Sequence, residues 1–111
     1  MELSMASRTW QDWTIIEVGG ELDLNTAPAL RQHIDGAIDA GASNVAIEMS
    51  KLTFMDSTGL GTLVSVSKRL DERGGRMALI GVEGSPRKVV SITGVDERIP
   101  IIDRVEDLSA R

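Results

Sequence analysis

Phe54-Met55-Asp56-Ser57-Thr58-Gly59-Leu60-Gly61 decides how this chain is read, because an apolar stretch gives way there to the opening of a helix. Asp56 and Ser57 are residue types that accept hydrogen bonds from the free backbone N–H groups of a first helical turn. Leu60, Leu63, Val64 and Leu70 follow with helical spacing as far as Gly74-Gly75. Just upstream, residues 44 to 49 alternate less and predict a buried central strand. Ser57 therefore falls where a strand hands over to a helix. A phosphate on its hydroxyl would lie against the positive end of the helix dipole, so modification there is expected to change charge and shape while keeping the fold. Gly59 and Gly61 each cost roughly 1 kcal/mol against alanine inside a helix. Their presence predicts a close backbone approach, by a partner chain in preference to a neighbouring strand.

Outward from this junction the chain alternates strands and helices. Residues 3 to 8 and 13 to 22 predict a hairpin around Gln11-Asp12, with Ile16 and Val18 alternating toward one face. Asn25 or Thr26 caps a helix in which Pro28 suits the first turn, Leu30, Ile34, Ala37 and Ile38 form the buried stripe, and Gly41 ends the run. Residues 76 to 82 predict a further strand. Ser85-Pro86 opens a third helix with Val89, Val90 and Ile92 on its buried side and Gly94 as its stop. Ile99 to Ile102 predicts a short strand near a sheet edge, since Pro100 has no N–H to donate. Asp103 and Glu106 have capping-box spacing for a short terminal helix. The fold class expected is α/β, one mixed sheet with helices packed mainly against one face.

Composition narrows the function. The 111 residues suit a single domain over 1–111, and 41% hydrophobic with 26% charged residues is the balance of a soluble globular protein. No apolar run approaches the ~20 residues that span a bilayer. Met1-Glu2-Leu3-Ser4-Met5 has neither the basic start nor the long apolar segment of a secretory signal, so a cytoplasmic address is expected. The chain has no cysteine, which excludes disulfides and thiolate metal sites; neither a metal nor a cofactor is expected. A net charge of −5 argues against nucleic acid, where binding gains from a basic face, and in favour of a protein partner.

A second segment, Gly20-Glu21-Leu22-Asp23-Leu24-Asn25, completes the pattern. In these two segments, and over nearly the whole chain from about Leu3 to Asp107, the sequence resembles the anti-sigma factor antagonists, which are free-standing bacterial STAS domains. That family carries its phosphorylated serine in Asp-Ser-[Ser/Thr]-Gly-Leu-Gly, and Ser57 takes the serine's place. The resemblance implies a STAS-like single domain with a central sheet and about four flanking helices. It also implies a partner-binding surface formed by Asp23, Asn25, Asp56, Ser57, Thr58, Gly59, Leu60 and Gly61. The expected partners are an anti-sigma factor of the histidine-kinase-like ATPase type, which would phosphorylate Ser57, and a PP2C-like phosphatase. The protein itself would be a monomer or weak dimer. The alternative is a STAS subunit or scaffold of a transporter or stress-signalling complex; the intact Asp56-Ser57-Thr58-Gly59 and the lack of a fused segment favour the free-standing form.

Enzymatic readings fit poorly. A hydrolase elbow needs glycine two residues before the nucleophile as well as two after, and Met55 stands in the first position. Gly74-Gly75 lacks the lysine and serine of a phosphate-cradling loop. His33, the one histidine, lies between buried positions Leu30 and Ile34 on the polar side of the first helix, as a solvated residue. Lys68, Arg69, Arg73 and Arg76 interleave with Asp71 and Glu72, the pattern of a solvated, salt-bridged face. Trp10 and Trp13 are expected to pack over the sheet edge, and an exposed Trp10 would suit an interface.

Overall fold

The computed structural model describes residues 2–108; Met1 and residues 109–111 of the expected 1–111 domain lie outside that range. Strands β1 (Leu3–Trp10) and β2 (Trp13–Leu22) pair antiparallel across the turn Gln11-Asp12, where Gln11 takes a positive φ of 54°. Then follow α1 (Ala27–Asp39), β3 (Asn44–Met55), α2 (Ser57–Glu72), β4 (Arg76–Ile80), α3 (Gly84–Thr93) and β5 (Ile101–Ile102). The strand order is β1-β2-β3-β4-β5, and every pair after the hairpin is parallel. Parallel neighbours joined by right-handed crossovers that always step the same way must carry their helices on one face. All three helices accordingly pack there.

The core follows this layering. Ile16, Val18, Leu22, Val45, Ile47 and Leu79 meet Leu30, Ile34 and Ile38 of α1, Leu60, Leu63, Val66 and Leu70 of α2, and Val90 of α3. On the opposite face a smaller cluster joins Trp13, Ile15, Ala46, Ala78 and Ile80 to Val105 and Leu108 of the C-terminal segment. Neighbouring Ile15 and Ile16 are thus both fully buried, on opposite faces, which is why the middle strands read as continuous apolar runs. The Arg76 guanidinium stacks 4.7 Å from the Trp13 ring centroid.

Several expectations need correction. β3 does not end near residue 49 but runs to Met55. Its register against β2 shifts twice, Glu17 and Gly19 pairing with Glu48 and Lys51, then Gly20 and Glu21 with Leu52 and Phe54. Each shift inserts one extra β3 residue, so Met49, Leu52 and Met55, three apart, all join the helix-side core and the period of two disappears. β4 stops at Ile80. Glu83, not Ser85, is the N-cap of α3, and Ile92 is 85% exposed where burial was expected. Pro86 and Val90, one turn apart, form the buried stripe of so short a helix, and Ile92 lies about half a turn away from Val90. The last strand does lie at the sheet edge, and the Pro100 carbonyl accepts from the Leu79 N–H at 2.9 Å. The capping box is Arg104 with Asp107, one residue later than expected, and closes a 3-10 turn (Val105–Asp107) instead of an α-helix. The described residues hence contain three α-helices, with a second 3-10 turn at Val95–Glu97, against the four expected.

Charged side chains tie α1 to α2. Arg69 of α2 reaches Asp35 at 2.6 Å and Asp39 at 2.9 Å; Arg31 donates to Asp35 at 3.0 Å and to the Ser65 hydroxyl at 2.7 Å. His33 is half-buried, its Nε2 lying 2.6 Å from the Ser7 hydroxyl of β1, a tie that its expected solvated setting did not include. Burial alone would raise the Asp35 carboxyl, but hydrogen bonds from Arg31 and Arg69 outweigh it and hold the group below its ordinary 3.8. A depressed carboxylate adds stability above its unfolded pKa and loses it as pH falls through the folded one. Asp35→Asn is therefore expected to lower the melting temperature at neutral pH, and the gap from the parent protein should close below pH 3.8. Circular-dichroism melts across that range check it; a gap independent of pH would assign the effect to packing.

Candidate functional site: the strand-to-helix junction

The junction is assembled by β2 and β3 ending side by side. Leu22 pairs with Met55, and the Asp56 N–H donates to the Leu22 carbonyl at 3.1 Å. Asp56 stays extended and caps α2: its Oδ1 accepts from the Gly59 N–H at 2.9 Å, while its carbonyl takes the Leu60 N–H at 3.1 Å. Ser57 is the first helical residue. It is exposed, as is Thr58, and its hydroxyl makes no hydrogen bond among the described residues.

The two glycines behave differently. A Cβ on Gly59 would sit 2.6 Å from Leu22 Cγ and 2.9 Å from the Leu22 carbonyl oxygen, so the close approach comes from β2 of the same chain and not from a partner. A Cβ on Gly61 would meet nothing within 4 Å, and this residue lies open to solvent. Leu60 is buried in the helix-side core.

The β2–α1 loop is built around Asp23, which is only 7% exposed. Its carboxylate accepts from the N–H groups of Asn25 at 2.9 Å and Thr26 at 3.1 Å. Its own N–H donates to the Thr26 hydroxyl at 2.9 Å, and that hydroxyl donates to the Glu21 carbonyl at 2.8 Å. Asp23 thus holds the loop, and the loop presents Leu24 and Asn25. Thr26 is the N-cap of α1 without a side-chain capping bond, because its hydroxyl is engaged here.

Of the eight residues expected at the surface, Asn25, Ser57, Thr58 and Gly61 are exposed and Asp56 is half-buried. Asp23, Gly59 and Leu60 lie beneath and shape it. Two apolar residues had no assigned role in the sequence reading: Leu24, 68% exposed, and Phe54, 40% exposed. They stand on the two segments that meet at this end of the sheet, beside a polar patch with no basic side chain of its own. An exposed leucine and phenylalanine next to an open hydroxyl suit a protein partner better than a small polar ligand. The signal in the sequence was an apolar residue inside each polar motif, but phase alone could not say which way either points.

The sheet order and the single helical face are those of a known class. A family model described as the STAS domain matches residues 4–108, and the protein belongs to that family. More particular likenesses follow. The anti-sigma-B factor antagonist of Staphylococcus epidermidis is 29% identical over 106 residues, covering 96% of this chain and 98% of that one. An anti-sigma factor antagonist from Mycobacterium paratuberculosis has the same fold, with TM-score 0.86 and 24% identity over 96% of this chain and 90% of that one. The anti-sigma factor antagonist SpoIIAA in its unphosphorylated form gives TM-score 0.80 at 26% identity, covering 94% of this chain and 90% of that one. Its phosphorylated form, from Bacillus, gives 0.73 at the same identity, covering 94% of each chain. Among the described residues no helix is long and apolar enough to cross a membrane.

Proposed function

We propose that this protein is an anti-sigma factor antagonist whose unphosphorylated form binds an anti-sigma factor and frees a sigma factor, and whose binding is switched off by phosphorylation of Ser57. The observation that carries the reading is the exposed Ser57 at the first turn of α2, with the cap supplied by its neighbour Asp56. Support comes from relatives named antagonists that align over almost the entire chain. The anti-sigma factor, an ATPase of the histidine-kinase-like type, transfers the γ-phosphoryl group of Mg-ATP to the Ser57 oxygen; ADP leaves and the hydroxyl proton passes to the partner. A PP2C-like phosphatase hydrolyses the ester. The chemistry belongs to the partners, in the cytoplasm, and this chain supplies the acceptor and the docking surface formed by Leu24, Asn25, Phe54, Asp56, Ser57, Thr58 and Gly61.

Intact-mass spectrometry tests it. After incubation with Mg-ATP and a candidate anti-sigma factor of the histidine-kinase-like ATPase type, the protein is expected to gain one phosphate, and Ser57→Ala none while still binding that partner. Full phosphate incorporation into Ser57→Ala would transfer the role to another hydroxyl, Thr58 being the nearest, and none on either protein would remove the switch.

A further inference from the structure

Among the described residues no strand pairs with the outer edge of β1. Trp10 and Trp13 close a two-residue turn, so Trp10, Arg8, Ala6 and Ser4 exchange hydrogen bonds with β2, and the N–H and C=O groups of Leu3, Met5, Ser7 and Thr9 point away from the sheet. The Glu21 N–H donating to the Glu2 carbonyl at 3.2 Å continues the same alternation. Natural proteins block such an edge with lysine, proline, a bulge or a short strand. β5, at the other edge, is two residues long and follows Pro100. β1 is eight residues long, has no proline and no bulge, and its one charged residue, Arg8, is tied back to Glu17 of β2 at 3.2 Å.

We infer that β1 pairs antiparallel with β1 of a second copy of this chain across a two-fold axis at Ala6. Self-complementarity singles out that occupant. With Ala6 facing Ala6, Leu3 faces Thr9, Met5 faces Ser7 and Arg8 faces Ser4, so all four outward residues on each strand are satisfied and no like charges meet. The smallest side chain of the strand falls at the non-hydrogen-bonded central pair, where chains approach most closely. The product is one continuous ten-stranded sheet. Leu3 lies beside Gly20 at the Ser57 end of the sheet, and in the dimer it lies beside Thr9 of the other copy. The two junctions then sit at opposite ends, and dimerisation leaves both uncovered. The inference is independent of any role for Ser57.

Sedimentation equilibrium from micromolar to millimolar concentration tests it. The wild-type mass is expected to climb from 12.0 kDa toward twice that value. Ala6→Lys and Ala6→Glu, each at an exposed position, should stay monomeric, because like charges then face each other across the axis. Ala6→Lys, opposite Glu17 of β2, should retain the wild-type melting temperature, whereas Ala6→Glu faces that carboxylate and is expected to melt somewhat lower while remaining folded. An equimolar mixture of the two should dimerise again. A wild type that stays monomeric throughout, an Ala6→Lys protein that dimerises like the parent, or a mixture that fails to recover would each overturn the inference.

Discussion

Ser57→Asp is expected to lower affinity for the anti-sigma factor by at least about tenfold, or 1.4 kcal/mol, while leaving the melting temperature unchanged or slightly higher. The two effects separate for a physical reason. An acidic side chain in a first helical turn gains about 0.3–1 kcal/mol from the helix dipole, so the isolated protein loses nothing by the change. At the interface the same charge arrives beside Asp56, on a surface whose own residues include no lysine or arginine. It must shed water there, and like-charge juxtaposition at a contact costs several kcal/mol. Phosphoserine adds roughly −1.5 to −2 charges at neutral pH, with more bulk, so the phosphorylated protein should bind more weakly than Ser57→Asp. Isothermal titration calorimetry with the anti-sigma partner, beside thermal melts of the free proteins, reads both quantities. The Coulombic part should shrink as salt rises. Equal affinity for wild type and Ser57→Asp would mean that the serine lies outside the contact, whatever its phosphorylation state.

Gly59→Val and Gly61→Gln should fail in opposite ways although they sit two residues apart. At Gly59 any Cβ meets Leu22, whose side chain is fully buried and whose carbonyl takes the Asp56 N–H, so neither can retreat without disturbing the junction. Overpacking of this kind costs about 1–3 kcal/mol, and on a domain of this size that is a melting temperature lower by roughly 5–15 °C. At Gly61 the new side chain meets open solvent, and exchanging glycine for a helix former there should raise stability by about 0.5–1 kcal/mol. If Gly61 is where the partner backbone comes close, Gly61→Gln binds it poorly while melting later than the wild type. A Gly61→Gln protein with unimpaired binding would place that stretch of α2 outside the interface.

The comparison of these two glycines marks the boundary of what the sequence makes legible. Both occur in one motif with the same helical penalty, and only the position of Leu22, thirty-odd residues upstream, distinguishes packing inside the chain from a surface kept clear. Local chemistry was readable: the strand-to-helix change at Asp56, the stripe Leu30, Ile34 and Ile38, and the edge position forced by Pro100. Where pairing between distant strands decides, sequence rules lose their hold. The far half of β3 has no period of two because its extra residues exist only in relation to β2. Val89, Val90 and Ile92 cannot all face inward from a ten-residue helix: Val90 is buried, Val89 packs half-buried against the same core, and Ile92 is left to solvent. Asp23 illustrates the reverse case. Its family position suggests an outward contact, but two nearby N–H groups claim its carboxylate first.

The cap that Asp56 provides has an evolutionary consequence. Since the Asp56 carboxylate, and not the serine hydroxyl, accepts the Gly59 N–H at the helix opening, the hydroxyl at position 57 has no hydrogen-bonding duty among the described residues and is free to be gained or lost. Under the proposed switch, a single-codon change there would turn a switchable regulator into a constitutive one, or back, without passing through an unstable intermediate. Duplicated copies of such a gene could therefore diverge into a responsive and an unresponsive form while sharing the same scaffold and competing for the same docking partner.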